Sequence, residues 1–265
     1  MKIIDCHTHP IFNDSLLKKT ALENKIDFSY KGLLNEMKEN RVERILAISS
    51  LFRENKLIAE LASKNKNILP VAYVSPIFIR RLKFVEKQLK ENNFKAVKLY
   101  PGYEHFYPNE RKCEPIYRMA ERLGIPVIFH SGSVWPKIKG ARIKFARPIH
   151  IDDIAVNHPD MKILMAHSGN PSITDAVDVA YKNKNVFLDV SGWFEGRIDK
   201  NYAKIARANL QFLLAWTGSE KILYGTDWPL IRMRLYINFV KSVGISKADL
   251  KKIMYKNALR LFWKC

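Results

Sequence analysis

Apolar positions along the chain fall into eight short, near-continuous runs, separated by longer stretches of helical period. The runs are KIIDCH (2–7), RILAIS (44–49), ILPVAYV (68–74), KAVKLY (95–100), IPVIFH (125–130), KILMAH (162–167), VFLDVS (186–191) and KILYGTD (221–227). Segments of this length, rich in β-branched residues and lacking polar alternation, read as parallel strands buried on both faces. Between them, YKGLLNEMKEN (30–40), RRLKFVEKQLKEN (80–92), EPIYRMAERLG (114–124) and SITDAVDVAYKN (172–183) place apolar residues on one helical face. Gly124 falls where a helix C-cap is expected, and Ser172 where a helix starts. A last amphipathic segment (246–262) predicts an extra helix. The whole predicts an α/β fold: a (β/α)8 TIM barrel with an extra C-terminal helix, a single domain over residues 1–265. A doubly wound sheet fits less well, because no glycine-rich phosphate loop follows any run.

A barrel gathers its chemistry at the C-terminal ends of its strands. His7 and His9 end the first run, Lys98 lies near the end of the fourth, and His130 ends the fifth. His167 ends the sixth and Asp227 the eighth. Side chains two apart on a strand share a face, so His7 and His9 are expected to face the barrel axis, with Cys6 and Thr8 turned away. Two imidazoles that close are not both comfortably protonated, whereas a divalent cation uses both as neutral ligands. His130 and Asp227 are the natural candidates to complete a nitrogen/oxygen site. His167 suits proton handling, with a ligand role as the alternative, and Asp227 suits both metal binding and orientation of a water.

Composition narrows the setting. The chain has 47% hydrophobic residues, no low-complexity stretch and no apolar run approaching the ~18 residues of a membrane span. The start shows no signal-peptide pattern, and three cysteines (Cys6, Cys113, Cys265) have no ligand-like spacing, which fits the cytoplasm. The net charge of +19 raises nucleic acid or an anionic substrate as a partner. The basic residues are nevertheless spread along the whole chain, as on solvated helix faces.

Loops after the strands are expected to set substrate choice. PGYEHFYPNE (101–110) is aromatic and carries His105. The loop 131–148 contains Trp135 with Lys137, Lys139, Arg142, Lys144 and Arg147, the pattern of a lid over a carboxylated or phosphorylated substrate or of a solvated basic loop. Trp193, in SGWFEGR (191–197), is a candidate pocket wall or core residue, and His150 and His158 read as structural or surface groups.

In combination, DCHTHP, KLYP, FHSG, AHSGN and GTDWP resemble the amidohydrolase superfamily in order and spacing. The chain is most similar to the amidohydrolase-related branch that includes aminocarboxymuconate semialdehyde decarboxylase. The resemblance implies His7, His9, His130 and Asp227 as ligands of one divalent metal, zinc first, with manganese, iron or cobalt as alternatives. It implies His167, together with Asp227, as catalytic. In binuclear members a lysine at the end of strand 4 is carbamylated and bridges two metals. Here Lys98 is expected unmodified, contacting an anionic substrate together with Tyr100 and Trp193. The activity implied first is hydrolysis of a C–N or C–O bond. Non-oxidative decarboxylation of an unsaturated or aromatic carboxylate is the alternative, and a TatD-like nuclease the third reading. The nuclease needs a metal-bridging glutamate, and Glu104 lies too far along its loop to match. The expected partner is a small carboxylate- or phosphate-bearing molecule, with no membrane, no nucleic acid and a homodimer left open.

Overall fold

The structure is a computed structural model, described over residues 1–263; Cys265 lies outside the described residues. Eight parallel strands follow the predicted runs: β1 (Ile3–Thr8), β2 (Val42–Ile48), β3 (Ile68–Tyr73), β4 (Ala96–Leu99), β5 (Val127–His130), β6 (Ile163–Ala166), β7 (Val186–Asp189) and β8 (Ile222–Leu223). They are hydrogen-bonded in chain order. Between β8 and β1 the barrel closes through Cys6 N to Tyr224 O (2.9 Å), Asp227 N to His7 O (2.8 Å) and His9 N to Trp228 O (2.7 Å). The architecture is the expected (β/α)8 barrel.

Strand alternation divides the apolar residues into two sets. Ile4, Leu46, Val71, Ala96, Ile128, Leu164, Phe187 and Leu223, drawn from all eight strands, form one buried cluster and so fill the barrel axis. Ile3, Ile45, Val97, Val127, Ile163, Val186 and Ile222 belong to the larger outer cluster that packs against the helices. The predicted terminal helix forms as Lys247–Lys251, a π turn at Lys252–Lys256, and Asn257–Phe262. Ala258, Leu261 and Phe262 join the axial cluster. Tyr255 hydroxyl donates to Glu43 (3.2 Å), and Arg44 lies over the Trp263 ring, which puts this helix at the strand-start end of the barrel. The opposite end is left open for chemistry.

Helix limits follow local signals. Ser29 Oγ accepts from Gly32 N (3.0 Å) and caps Tyr30–Glu39. Helix Glu114–Leu123 ends at Gly124, whose φ of 62° suits a residue without Cβ. Ser172 does precede helix Ile173–Lys182, but its side chain makes no capping bond. No helix among the described residues is long and apolar enough to cross a membrane.

Two expectations are corrected. Cys6 does not face away from the axis: it lies two residues on from Ile4 and shares its face in the axial cluster, and the register shift between Asp5 and Thr8 breaks the alternation only towards the histidines. Thr8 does turn outward, donating to Leu46 O (2.7 Å). The eighth strand is shorter than 221–227, because the chain leaves the β7 ladder after Leu223 and reaches Asp227 with φ at 68°.

Candidate active site

The end of β1, the end of β5, the turn after β6 and the segment after β8 bring His7, His9, His130, His167 and Asp227 together on the open rim. Two of these sit in strained backbone. His167 has φ 61° and Asp227 φ 68°, the left-handed region that costs a non-glycine residue about 1–3 kcal/mol. Surrounding bonds hold them there. His167 N donates to Asp189 Oδ1 (2.9 Å), Trp193 Nε1 donates to His167 O (2.9 Å), and Asp227 N donates to His7 O (2.8 Å).

Each imidazole has one nitrogen engaged by a fixed acceptor and the other turned inward. His7 Nδ1 donates to Asp189 Oδ2 (3.0 Å), and His9 Nδ1 to Ile48 O (3.0 Å). Both Nε2 atoms then face Asp227 Oδ1, at 3.8 and 3.3 Å. His130 Nε2 donates to Ser133 O (2.8 Å), and His167 Nδ1 to Ser191 O (3.1 Å). That leaves His130 Nδ1 facing His167 Nε2 at 3.2 Å. With these tautomers lone pairs meet at His9 Nε2 and Asp227 Oδ1 and again at His130 Nδ1 and His167 Nε2, while His7 Nε2 has the Lys98 ammonium 3.5 Å away. A proton or a cation between them relieves the conflict, and outer acceptors of this kind are what orient metal-binding imidazoles.

Electrostatics favour the cation. Burial, reinforced by the nearby Lys98 ammonium, pushes His7 down to about 3. Burial also lowers His130 and His167, so all three rings are neutral, the form that binds metal. Burial opposes ionisation of Asp189 but is outweighed by its His7 partner, whose Nδ1–H donates to it, so that carboxyl stays below the usual carboxylate range. Two buried carboxylates against the single Lys98 ammonium leave unbalanced negative charge that a divalent ion would offset. Among the described residues, His7, His9 and Asp227 form one group compact enough for an ion, and His7, His167 and Asp189 another.

A cavity of about 520 Å³ opens over this cluster, with His9, His130, His167 and Asp227 in its floor. Tyr100, Tyr103, Trp135 and Trp193 wall it. Tyr100 donates through its hydroxyl to Ser49 O (3.1 Å) and stacks on His130, with centroids 6.0 Å apart. Trp193 serves both expected roles, lining the cavity and packing in the outer core. Lys98 lies beneath the cavity: it is wholly buried, its Nζ is 3.5 Å from His7 Nε2, and burial lowers it to about 8.

The basic loop is turned to other work. None of Lys137, Lys139, Arg142, Lys144 and Arg147 lines the cavity. Lys137 pairs with Glu23 (3.0 Å) and Glu195 (2.8 Å), and Arg147 with Asp175 (2.6 Å). Trp135 is anchored through N to the Tyr103 hydroxyl (2.7 Å) and through Nε1 to Glu195 (3.0 Å). The loop is thus a strap tied across the cavity rim. His105 Nε2 donates to Gly140 O (2.7 Å) outside the cavity lining, and His158 is held between Glu114 and Glu121.

Asp189, Asp5, Gly192 and Glu104 are site residues that the sequence reading did not single out as such. Asp189 and Asp5 did leave a signal, since each is an acid inside an otherwise apolar strand. Asp5 accepts from Thr226 N (2.9 Å), Thr226 Oγ1 (2.5 Å) and His7 N (3.1 Å), tying β1 to the segment bearing Asp227. Gly192, with φ 68°, has room for no side chain: a Cβ there would lie 2.5 Å from His167 Nδ1 and 2.8 Å from Asp227 Oδ2. Gly192→Ala is therefore expected to displace both groups and to lower stability by about 1–3 kcal/mol. A thermal melt together with an activity assay checks this; unchanged values in both would mean the loop relaxes freely.

A family model described as Amidohydrolase matches residues 4–263. Gamma-resorcylate decarboxylase from Rhodococcus jostii (strain RHA1) is 23% identical over 193 residues, covering 61% of this chain. The chain spans only 57% of that relative's length. Among solved structures, an uncharacterized TIM-barrel protein from Bordetella bronchiseptica superposes with a TM-score of 0.83 at 20% identity, covering 98% of both chains. A dihydroxybenzoic acid decarboxylase from Polaromonas sp. JS666, solved with manganese and 2-nitroresorcinol, gives a TM-score of 0.71 at 17% identity, covering 98% of this chain and 96% of its own.

Proposed function

We propose, on the premise that the chain belongs to the amidohydrolase family matched over residues 4–263, that it is a metal-dependent, non-oxidative decarboxylase of a small aromatic or unsaturated carboxylate. The similarity to gamma-resorcylate decarboxylase carries this reading and favours it over hydrolysis, the activity expected first from sequence. The aromatic cavity above a histidine–aspartate floor suits a flat acid. Its wall carries acids and no Lys or Arg among the described residues, which would repel a polyphosphate backbone and disfavours the nuclease reading.

His7, His9 and Asp227, the compact group, would hold one divalent ion, with His130, whose free Nδ1 faces His167 Nε2, as the further ligand. Manganese, named for the Polaromonas structure, stands beside zinc as a candidate. A divalent ion held there would supply localised positive charge to offset the anionic charge of the substrate. The remaining work falls to the chain. Tyr100, Tyr103 and Trp193 confine the ring, and the Trp135 strap excludes water. Decarboxylation breaks the bond between ring carbon and carboxylate, and a proton takes the place of the departing carbon dioxide. With Nδ1 donating to Ser191 O, His167 Nε2 is free to take up a proton and deliver it to that carbon. The catalytic unit is proposed as one domain, placed in the cytoplasm, a setting that suits the buried free thiols of Cys6 and Cys113.

Asp189 acts on this site through His7. Asp189→Asn presents an amide where His7 Nδ1 and two backbone N–H groups need an acceptor, and metal affinity should fall about 10–100-fold. Titration with manganese or zinc checks this, and wild-type affinity would remove Asp189 from the site. The function itself is tested by carbon dioxide release from hydroxybenzoates, with and without a chelator. Release that the chelator abolishes supports the reading. No release, together with cleavage of amides or lactones, would restore hydrolysis.

A further inference from the structure

The far wall of the cavity holds an acid for which decarboxylation itself has no use. Besides Asp227, four carboxylates line the cavity: Asp14, Glu54, Glu104 and Glu195. Three of them are engaged by donors of the protein. Asp14 Oδ1 accepts from Leu17 N (2.7 Å), and Glu54 Oε2 from Ser50 N (2.7 Å) and Leu51 N (3.0 Å). Glu195 accepts from Trp135 Nε1 (3.0 Å) and pairs with Lys137 (2.8 Å).

Glu104 differs. Its Oε1 accepts from the Tyr73 hydroxyl, but its Oε2 is buried with no hydrogen-bond partner. A buried acceptor without a donor is costly, and such exceptions call for a reason. Burial and the neighbouring Glu104 keep the Tyr73 hydroxyl protonated, so it donates and Oε1 stays occupied. Tyr73 is fixed in turn: its N donates to Asn55 Oδ1 (2.8 Å) and its O accepts from Asn55 Nδ2 (3.0 Å). A row of stacked rings, His130 on Tyr100 and Tyr100 on Tyr73, each pair 6.0 Å apart, leads from the histidine cluster to Glu104. A flat ligand seated against this row with its carboxylate at the cluster would turn its ring edge toward Glu104.

We propose that Glu104 reads a hydrogen-bond donor, a hydroxyl or an amino group, on the ring of the substrate, and so selects donor-bearing aromatic carboxylates; this rests on the decarboxylase reading above. Tyr73 is its positioning residue.

The test is calorimetric binding to the metal-supplemented protein, with carbon dioxide scored separately. The probes are benzoate and its hydroxy-, amino-, methoxy- and dimethylamino-substituted isomers. In the wild type, at least one hydroxy or amino isomer should bind about tenfold or more tightly than its methylated counterpart. The hydroxy and amino arms tell the two donors apart. In Glu104→Leu that ratio should fall to near one. If the leucine variant fails to fold, Glu104→Gln, which exchanges the carboxylate for a weaker neutral acceptor, should still lower the ratio several-fold. A ratio near one in the wild type, or a ratio unchanged in the variants, overturns the role of Glu104 alone. If no benzoate binds the wild type, the decarboxylase reading fails and the inference fails with it.

Discussion

Replacing His167 with alanine is expected to lower carbon dioxide release about 10²–10⁴-fold, the usual worth of a positioned proton-transfer group, while the metal stays bound. The residue is held from three directions. Asp189 takes its backbone N–H, Ser191 O takes its Nδ1 proton, and Trp193 Nε1 donates to its carbonyl. What remains free is Nε2, beside His130 at the cavity floor. A buried neutral imidazole with one open nitrogen is suited to pass a proton, and its strained backbone indicates that its position is worth a stability cost. Alanine removes the nitrogen and leaves the His7, His9 and Asp227 group untouched. Metal content and single-turnover release, measured on the same sample, check the prediction. Loss of metal in this variant would make His167 a ligand.

His130→Ala should do the opposite to metal: affinity falls by more than about 100-fold, and activity goes with it. His130 ends β5, packs between the Tyr100 and Tyr103 rings, and presents Nδ1 inward because Ser133 O holds Nε2. Rigid strand placement with one nitrogen locked outward is the arrangement of a metal-binding imidazole. The fold is expected to survive, since the eight-strand ladder and the axial cluster do not depend on this ring. Metal titration with a circular dichroism control checks both halves. Full metal retention in a folded variant would remove His130 from the ligand set.

The barrel was legible because buried parallel strands cannot hide: each run of Ile, Val and Leu became a strand within a few residues of its expected ends. The histidines were legible for a related reason, since a polar group that closes an apolar run must stand on the rim. Alternation counted back from the histidines gave Cys6 the wrong face because β1 shifts register between Asp5 and Thr8, where it must meet both β2 and the segment after β8; counted from Ile4, Cys6 falls on the axis. The basic loop was ambiguous for another reason. Its lysines and arginines allowed a lid over an anion or a solvated basic loop, and Lys137 and Arg147 instead answer Glu23, Glu195 and Asp175, acids distant in sequence. The roles of Asp189 and Glu104 were not legible, although Asp189 left a signal as an acid in an apolar run, because their importance lies in which donors they meet, or fail to meet, across the barrel.

The measurement that bears most directly on the whole account is elemental metal content of protein purified without chelators. The inward-facing nitrogens of His7, His9 and His130, with the ionised Asp227, predict about one divalent ion per chain. No ion, even after supplementation with zinc and manganese, would contradict the account and leave the four imidazoles as acid–base or substrate-binding groups.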